Sequence, residues 1–362
     1  MSDDVDQDAP RPPGRLARFV RHAWWLHSFW ALALGVGVML FARKGIAHAD
    51  KVLLVAGIAW LLVFVAVRFI VGPGNTSPDE RLAKKGLRVV TNYLVKNLFQ
   101  QMFFFQVPLY ASSATWALDS PNWWLPLLLG GCAVLCTLDV VFDNYVLPNR
   151  PIAALLYGIC LFALLNLILP LLTTLSHAQS LLAAGLAAPP AAALLRFRAR
   201  SVLSPVGLLV TLAISGGVGA GAWVGRASIP PAPLAMAYGA VGHGTPGQYE
   251  VLPGKVTVLR ATQLDALRCV TQIVDPSGAP DPLLHVWRLR GQVIAVLAPT
   301  DVATDEPHSR VLRSTLATLP ADPVGAWSCT VETAEEQLVG RVAWTVRNGP
   351  TPPLDPATAS GR

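Results

Sequence analysis

Residues 151–172 read PIAALLYGICLFALLNLILPLL, a run with no charged side chain. A helix rises about 1.5 Å per residue, so roughly 20 apolar residues cross the hydrocarbon of a bilayer. Working outward, six further stretches read the same way: residues 24–42, 52–71, 98–117, 123–146, 177–195 and 203–225. Residues 52–71 are the cleanest, interrupted only by Arg68 near their end. Residues 177–195 are the weakest, mostly Ala and Leu with Pro189-Pro190 inside, and proline removes a backbone donor and kinks a helix. The pattern predicts an all-α membrane bundle of about seven transmembrane helices over residues 24–225.

Composition agrees. The chain is 53% hydrophobic and 14% charged, against about 25% charged in an ordinary soluble domain. The deficit ends near residue 226, and from Ile229 onward the sequence reads as a soluble domain. The net charge of +6 is carried by the first region, where residues 1–225 hold 17 Lys and Arg against 10 Asp and Glu. These cations lie between the apolar runs. A nucleic-acid surface needs a basic patch on one folded face, so that partner is excluded.

The cations also set an orientation. With the N-terminus inside, the inner segments hold 14 Lys and Arg and the outer loops hold Arg43, Lys44 and Lys51. Cytoplasmic loops retain Lys and Arg, so the N-terminus is expected in the cytoplasm of a bacterial inner (plasma) membrane. Trp24, Trp25, Trp123 and Trp124 fall at span ends, where indole rings settle. An odd number of crossings places the C-terminal region in the extracytoplasmic, periplasmic space. The Arg-rich residues 11–21 and Ala47-His48-Ala49 resemble a signal peptide, but the apolar run between them is too long for one. Residues 1–23 read as a disordered cytoplasmic tail. Residues 79–96 read either as an amphipathic helix on the inner leaflet or as an extension of the third span.

Ionisable groups within spans need a reason. Asp139 and Asp143 are four apart and share a helix face. Depth matching sets Gln101 near Asp143 and Gln106 near Asp139. The expected intramembrane polar cluster is Asp139, Asp143, Asn144, Gln100, Gln101 and Lys96. It reads as a proton or cation site, or as a hydrogen-bond cluster fixing the packing of the third and fourth spans. The second is favoured, because the carboxylates lie toward one interface and no paired broken helices are visible. Cys132, Cys136 and Cys160 read as small buried apolar residues.

Residues 226–254, with Pro230, Pro231, Pro233 and several glycines, read as a linker. Strand-like runs follow at 255–259, 269–274, 284–289, 292–297, 311–319, 327–331 and 339–346, with a hairpin at Arg290-Gly291. They predict a small all-β, Ig-like antiparallel sandwich over residues 255–347, then a disordered Pro-rich tail at 348–362. Cys269 and Cys329 both fall in strands. An oxidising compartment would bridge them, and a link across about 60 residues stabilises by several kcal/mol in the chain-entropy model. In a cytoplasmic domain they would be free thiols.

His285 and Trp287 alternate onto one face of a strand, and with Arg290 they form the candidate interaction face. His243 lies in the linker and His308 in a loop. No nucleophile elbow, paired-His motif or phosphate-cradling glycine loop is present, so no catalytic residue, metal or cofactor is expected. The expected partners are the lipid bilayer and an envelope protein.

His285-Val286-Trp287, Gly291, Arg310, Ser314, Gly325-Ala326-Trp327 and Val346 resemble, over residues 283–347, the domain of unknown function numbered 2914. Phe103-Phe104-Phe105, Pro108 and Tyr110, with Asp139 to Tyr145, resemble the multi-span domain of unknown function numbered 5924. Neither resemblance implies a reaction, and the Cys269–Cys329 bridge rests on this sequence alone. The expectation is a membrane-anchored interaction module. The alternatives are a small-ion or proton-coupled transporter using Asp139 and Asp143, and a membrane enzyme acting on lipid or wall precursors.

Overall fold

A computed structural model describes residues 82–349 apart from 118, 139, 140, 246, 247, 252–257, 279, 280, 303 and 305–307. The expected spans at 24–42 and 52–71, both expected tails and Asp139 lie outside the described residues.

Among the described residues five long helices form the first part, with a single helical turn at Ala199–Val202 between the last two: α1 Leu82–Ser113, α2 Trp124–Thr137, α3 Arg150–Leu172, α4 His177–Arg196 and α5 Pro205–Val224. Among the described residues, Arg150–Leu172, His177–Leu195 and Pro205–Val224 are long and apolar enough to cross a membrane. Their starts follow from local chemistry. Asn149 caps α3 by accepting from the Ile152 N–H, with Pro151 in the first turn. Ser176 and Gln179 form a reciprocal capping box on α4. Ser204 caps α5 ahead of Pro205. α1 runs unbroken from Leu82, so the basic segment before the third apolar run is its extension.

The fourth apolar run, expected as one helix over 123–146, is broken. α2 stops at Thr137, Leu138 takes ψ 82°, and residues Phe142–Val146 form a π-helical turn. Hydropathy registers how apolar a stretch is and is blind to where its backbone ladder is interrupted. Pro189-Pro190, by contrast, sit inside a continuous α4.

Phe103, Tyr110, Leu129, Phe142, Leu161 and Leu167 are fully buried at the bundle centre. α4 and α5 approach through glycine: a Cβ built on Gly185 would stand 2.9 Å from the Gly219 Cα, so only glycine permits this crossing. The rest of α5 turns Val206, Leu209, Leu212 and Val224 outward, as a lipid-facing helix does.

The second part is two five-stranded sheets. The strands are β1 Ala235–Thr245, β2 Gln248–Val251, β3 Val258–Arg260, β4 Leu267–Val274, β5 Leu283–Leu289, β6 Gln292–Leu297, β7 Thr300–Val302, β8 Ser309–Leu316, β9 Gly325–Thr333 and β10 Leu338–Arg347. The first sheet runs β2-β1-β4-β8-β7 and the second β3-β10-β9-β5-β6. All pairs are antiparallel except β3 with β10.

β1 and β2 correct the linker expected at 226–254. Gly239 of β1 and Gly340 of β10 serve close packing. A Cβ on Gly239 would meet Val342 Cγ2 at 2.5 Å, and one on Gly340 would meet Met236 Cβ at 2.5 Å, so β1 lies directly against β10.

Between the sheets, Cys269 of β4 and Cys329 of β9 form a disulfide with Cα atoms 6.6 Å apart. Trp287, Trp327 and Trp344 surround it, all buried, with Trp344 edge-on to Trp287 at 5.9 Å and stacked with Trp327 at 6.1 Å.

Candidate binding groove

The expected interaction face is not a surface. Strand alternation does put His285 and Trp287 on one side of β5, but that side faces the core, and both residues are fully buried. The His285 ring is held at both nitrogens, Nδ1 2.7 Å from Ser314 Oγ and Nε2 2.9 Å from Thr271 Oγ1. The Trp287 Nε1–H donates to the same Ser314 oxygen at 3.2 Å. Burial pushes the His285 imidazole down from 6.5 to about 4, so it is neutral near pH 7. Cys269, His285 and Cys329 bring their ligand atoms within 4.8 Å of one another. The two sulfurs are bonded to each other and supply no thiolate, so this cluster is a core staple with a satisfied histidine beside it.

Arg290 is exposed, and its role is local. It takes φ 53° before Gly291 at φ 81°, closing the β5–β6 hairpin. Its guanidinium bonds the Asp322 carboxylate, and its Nε donates to the Val324 carbonyl at 3.0 Å. The hydrogen bond from Arg290 to Asp322 holds that carboxyl below its ordinary range.

The helical part holds buried polar side chains with partners across helices. Gln106 Nε2 donates to the Cys160 carbonyl at 3.1 Å, which ties α1 to α3. Tyr110 Oη donates to the Ala163 carbonyl at 2.9 Å and accepts from Asn166 Nδ2 at 2.9 Å. This Tyr110–Asn166 pair was not anticipated, although a lone Asn inside the 151–172 run was its signal. Gln100 is buried and Gln101 half-buried on α1, while Asp143 is half-buried and Asn144 exposed on the π-helical turn. The Lys96 side chain lies outside the described residues.

The opposite side of β5 holds the concave feature. Leu284, Val286 and Arg288, with Val293 and Val296 of β6, line a groove of about 810 Å³ along the outer face of the second sheet. Its floor at the bundle end is the loop Asp119, Ser120 and Pro121, between α1 and α2. The walls are largely apolar and the charges are matched. Arg288 donates to Glu332 at 2.7 Å and to Thr330 Oγ1 at 2.5 Å. Arg341 pairs with Asp119 at 2.5 Å, and Arg226 with Glu336 at 3.2 Å. The Arg341 hydrogen bond keeps the Asp119 carboxyl below its usual value.

The groove keeps its shape because the β domain is pinned to the helices at several points. Asp281 accepts from the backbone N–H of His177 at 2.9 Å and bonds its Nδ1, both residues buried. Burial raises the Asp281 carboxyl, and the bonds from His177 outweigh it, so it lies below the ordinary value. The Asp281 carboxylate also sits at the positive end of α4. On the other side, Asn122 Nδ2 donates to the Leu338 carbonyl at 3.0 Å and Arg226 Nε to the Glu335 carbonyl at 2.6 Å.

Apolar helices compatible with membrane association, carrying a two-sheet β domain with a groove at the junction, define the class. A family model with the description "Family of unknown function (DUF5924)" matches residues 12–268, most of the chain, and the chain belongs to that family. The match runs beyond the helices into β4, so the first strands are part of the family's unit. No curated protein and no solved structure matches the chain.

Proposed function

We propose that this is an integral protein of the bacterial inner (plasma) membrane that holds its β domain outside the cytoplasm and binds an envelope protein in the groove. The observation that carries the reading is the groove itself: a concavity of about 810 Å³ on a sheet face, more apolar than polar, with its charges internally paired. A contiguous apolar concavity on a rigid scaffold is the usual setting of a binding site. The Lys and Arg asymmetry supports the orientation. The disulfide suits an oxidising space.

The test is a photoreactive amino acid placed in living cells at Leu284 or Val293 in the groove, and at the exposed Val258 on β3 as a control. Adducts to a discrete protein from the groove positions alone are expected. Adducts that are equal at all three positions, or absent from all, contradict the reading.

A further inference from the structure

β6 is an outer strand. Its only sheet partner is β5, so one edge of Gln292–Leu297 presents backbone donors and acceptors that no described strand meets. Val293 is 55% exposed, Ile294 37% and Val296 54%. Edge strands are usually blunted by charge, proline or shortness. The other outer strands follow that rule. β7 has three residues, with Asp301 paired to Arg310 at 2.7 Å; β3 has three and ends at Arg260; β2 carries Glu250. Among the described outer strands, β6 is the longest and the one with neither charge nor proline; its one irregularity is a bulge at Ile294, between the pairs Arg288–Val293 and Trp287–Ala295.

We propose that β6 accepts an extended segment of another polypeptide as an added strand of the second sheet, its alternate side chains lying over the groove. This rests on reading the groove as the binding face and names the occupant. The edge recognises a peptide backbone through main-chain hydrogen bonds, and Val293 and Val296, brought to one face by the bulge at Ile294, select apolar side chains on that face of the peptide. Because every charged side chain lining the groove has a partner, nothing there selects a charged ligand. The segment is about six residues long, apolar on one face and free of proline in the paired run.

Two other strand donors are disfavoured on physical grounds. The chain's own residues 350–362 carry Pro350, Pro352, Pro353 and Pro356, which cannot donate to a ladder. A second copy fails by symmetry. β5 starts beside Asp281, at the bundle, so β6 returns toward the bundle. Antiparallel pairing of two β6 strands would invert one β domain relative to its helices, which a shared bilayer orientation forbids. Parallel pairing about a dyad would set like groups opposite each other.

The test uses the full-length protein in nanodiscs and a decapeptide enriched on it from a random phage-displayed library. The expected peptide alternates apolar residues and slows amide exchange at Gln292–Leu297. N-methylation of the amides in one alternate register should weaken binding by about tenfold or more, as loss of main-chain hydrogen bonds does, with little effect in the other register. Val293→Lys with Val296→Lys should abolish binding. Equal affinity in both methylated registers, or unchanged exchange at β6, overturns strand addition. Tighter peptide binding after truncation at Gly349 also overturns it, in favour of the chain's own tail. Should strand addition fail while groove positions still crosslink to a protein, the binding-face reading stands; if crosslinking is lost as well, both fall.

Discussion

At the scale of single residues, His285 shows what alternation can and cannot decide. The sequence places His285 and Trp287 on one side of a strand, and they are. It does not say which side is the core, because Leu284 and Val286 on the other side are also apolar. The large ring of Trp287 decides it, together with Cys329 opposite it on the neighbouring β9 and Cys269 on the facing sheet, and that grouping is visible only in three dimensions. Burial has a consequence for pH. Unfolded, His285 takes up a proton as pH falls through about 6.5; folded, it does so near 4. Its contribution is complete above 6.5 and is lost as pH falls toward 4, a change of roughly 3 kcal/mol in stability. Thermal unfolding of the β domain followed from pH 7 to 4 should show this loss, and His285→Leu should flatten the slope. An unchanged slope in that variant would assign the pH dependence elsewhere.

At the scale of elements, long apolar helices and alternating strands were legible and their interruptions were not. The helices at 150–172, 177–196 and 205–224 announce themselves by apolar length, and the structure adds Asn149, Ser176 and Ser204 as their caps. The break after Thr137 left no such mark. β1 and β2 were hidden because the prolines ahead of β1 and the glycines within it read as linker, whereas Gly239 is there for close approach to β10. The same logic makes the α4–α5 crossing testable. A Cβ on Gly219 would meet Leu186 Cδ2 at 2.8 Å, while one on Gly217 meets nothing within 4 Å. Gly219→Leu should cost about 1–3 kcal/mol and lower the melting temperature in detergent, and Gly217→Leu should not. Equal effects at both positions would remove the crossing from the account.

At the scale of the whole molecule, the groove exists because two regions of different chemistry are locked together. Neither the β face nor the Asp119–Pro121 loop makes it alone. The pins that hold it, His177 to Asp281 and Arg341 to Asp119, join residues more than 100 positions apart. No local pattern in the sequence connects them, so the site was out of reach of a sequence reading even where its strands were not. The disulfide, by contrast, was legible, since only two cysteines fall in the strand-rich region and both sit in strands.

The exported, cross-linked β domain is the claim on which the binding role depends. It is tested most directly by quenching living cells with a membrane-permeant alkylating agent, denaturing the protein under the same agent and weighing it intact. Of the five cysteines, Cys132, Cys136 and Cys160 should be alkylated, and Cys269 and Cys329 should remain joined. A mass showing all five alkylated would place the β domain in a reducing compartment and contradict the account.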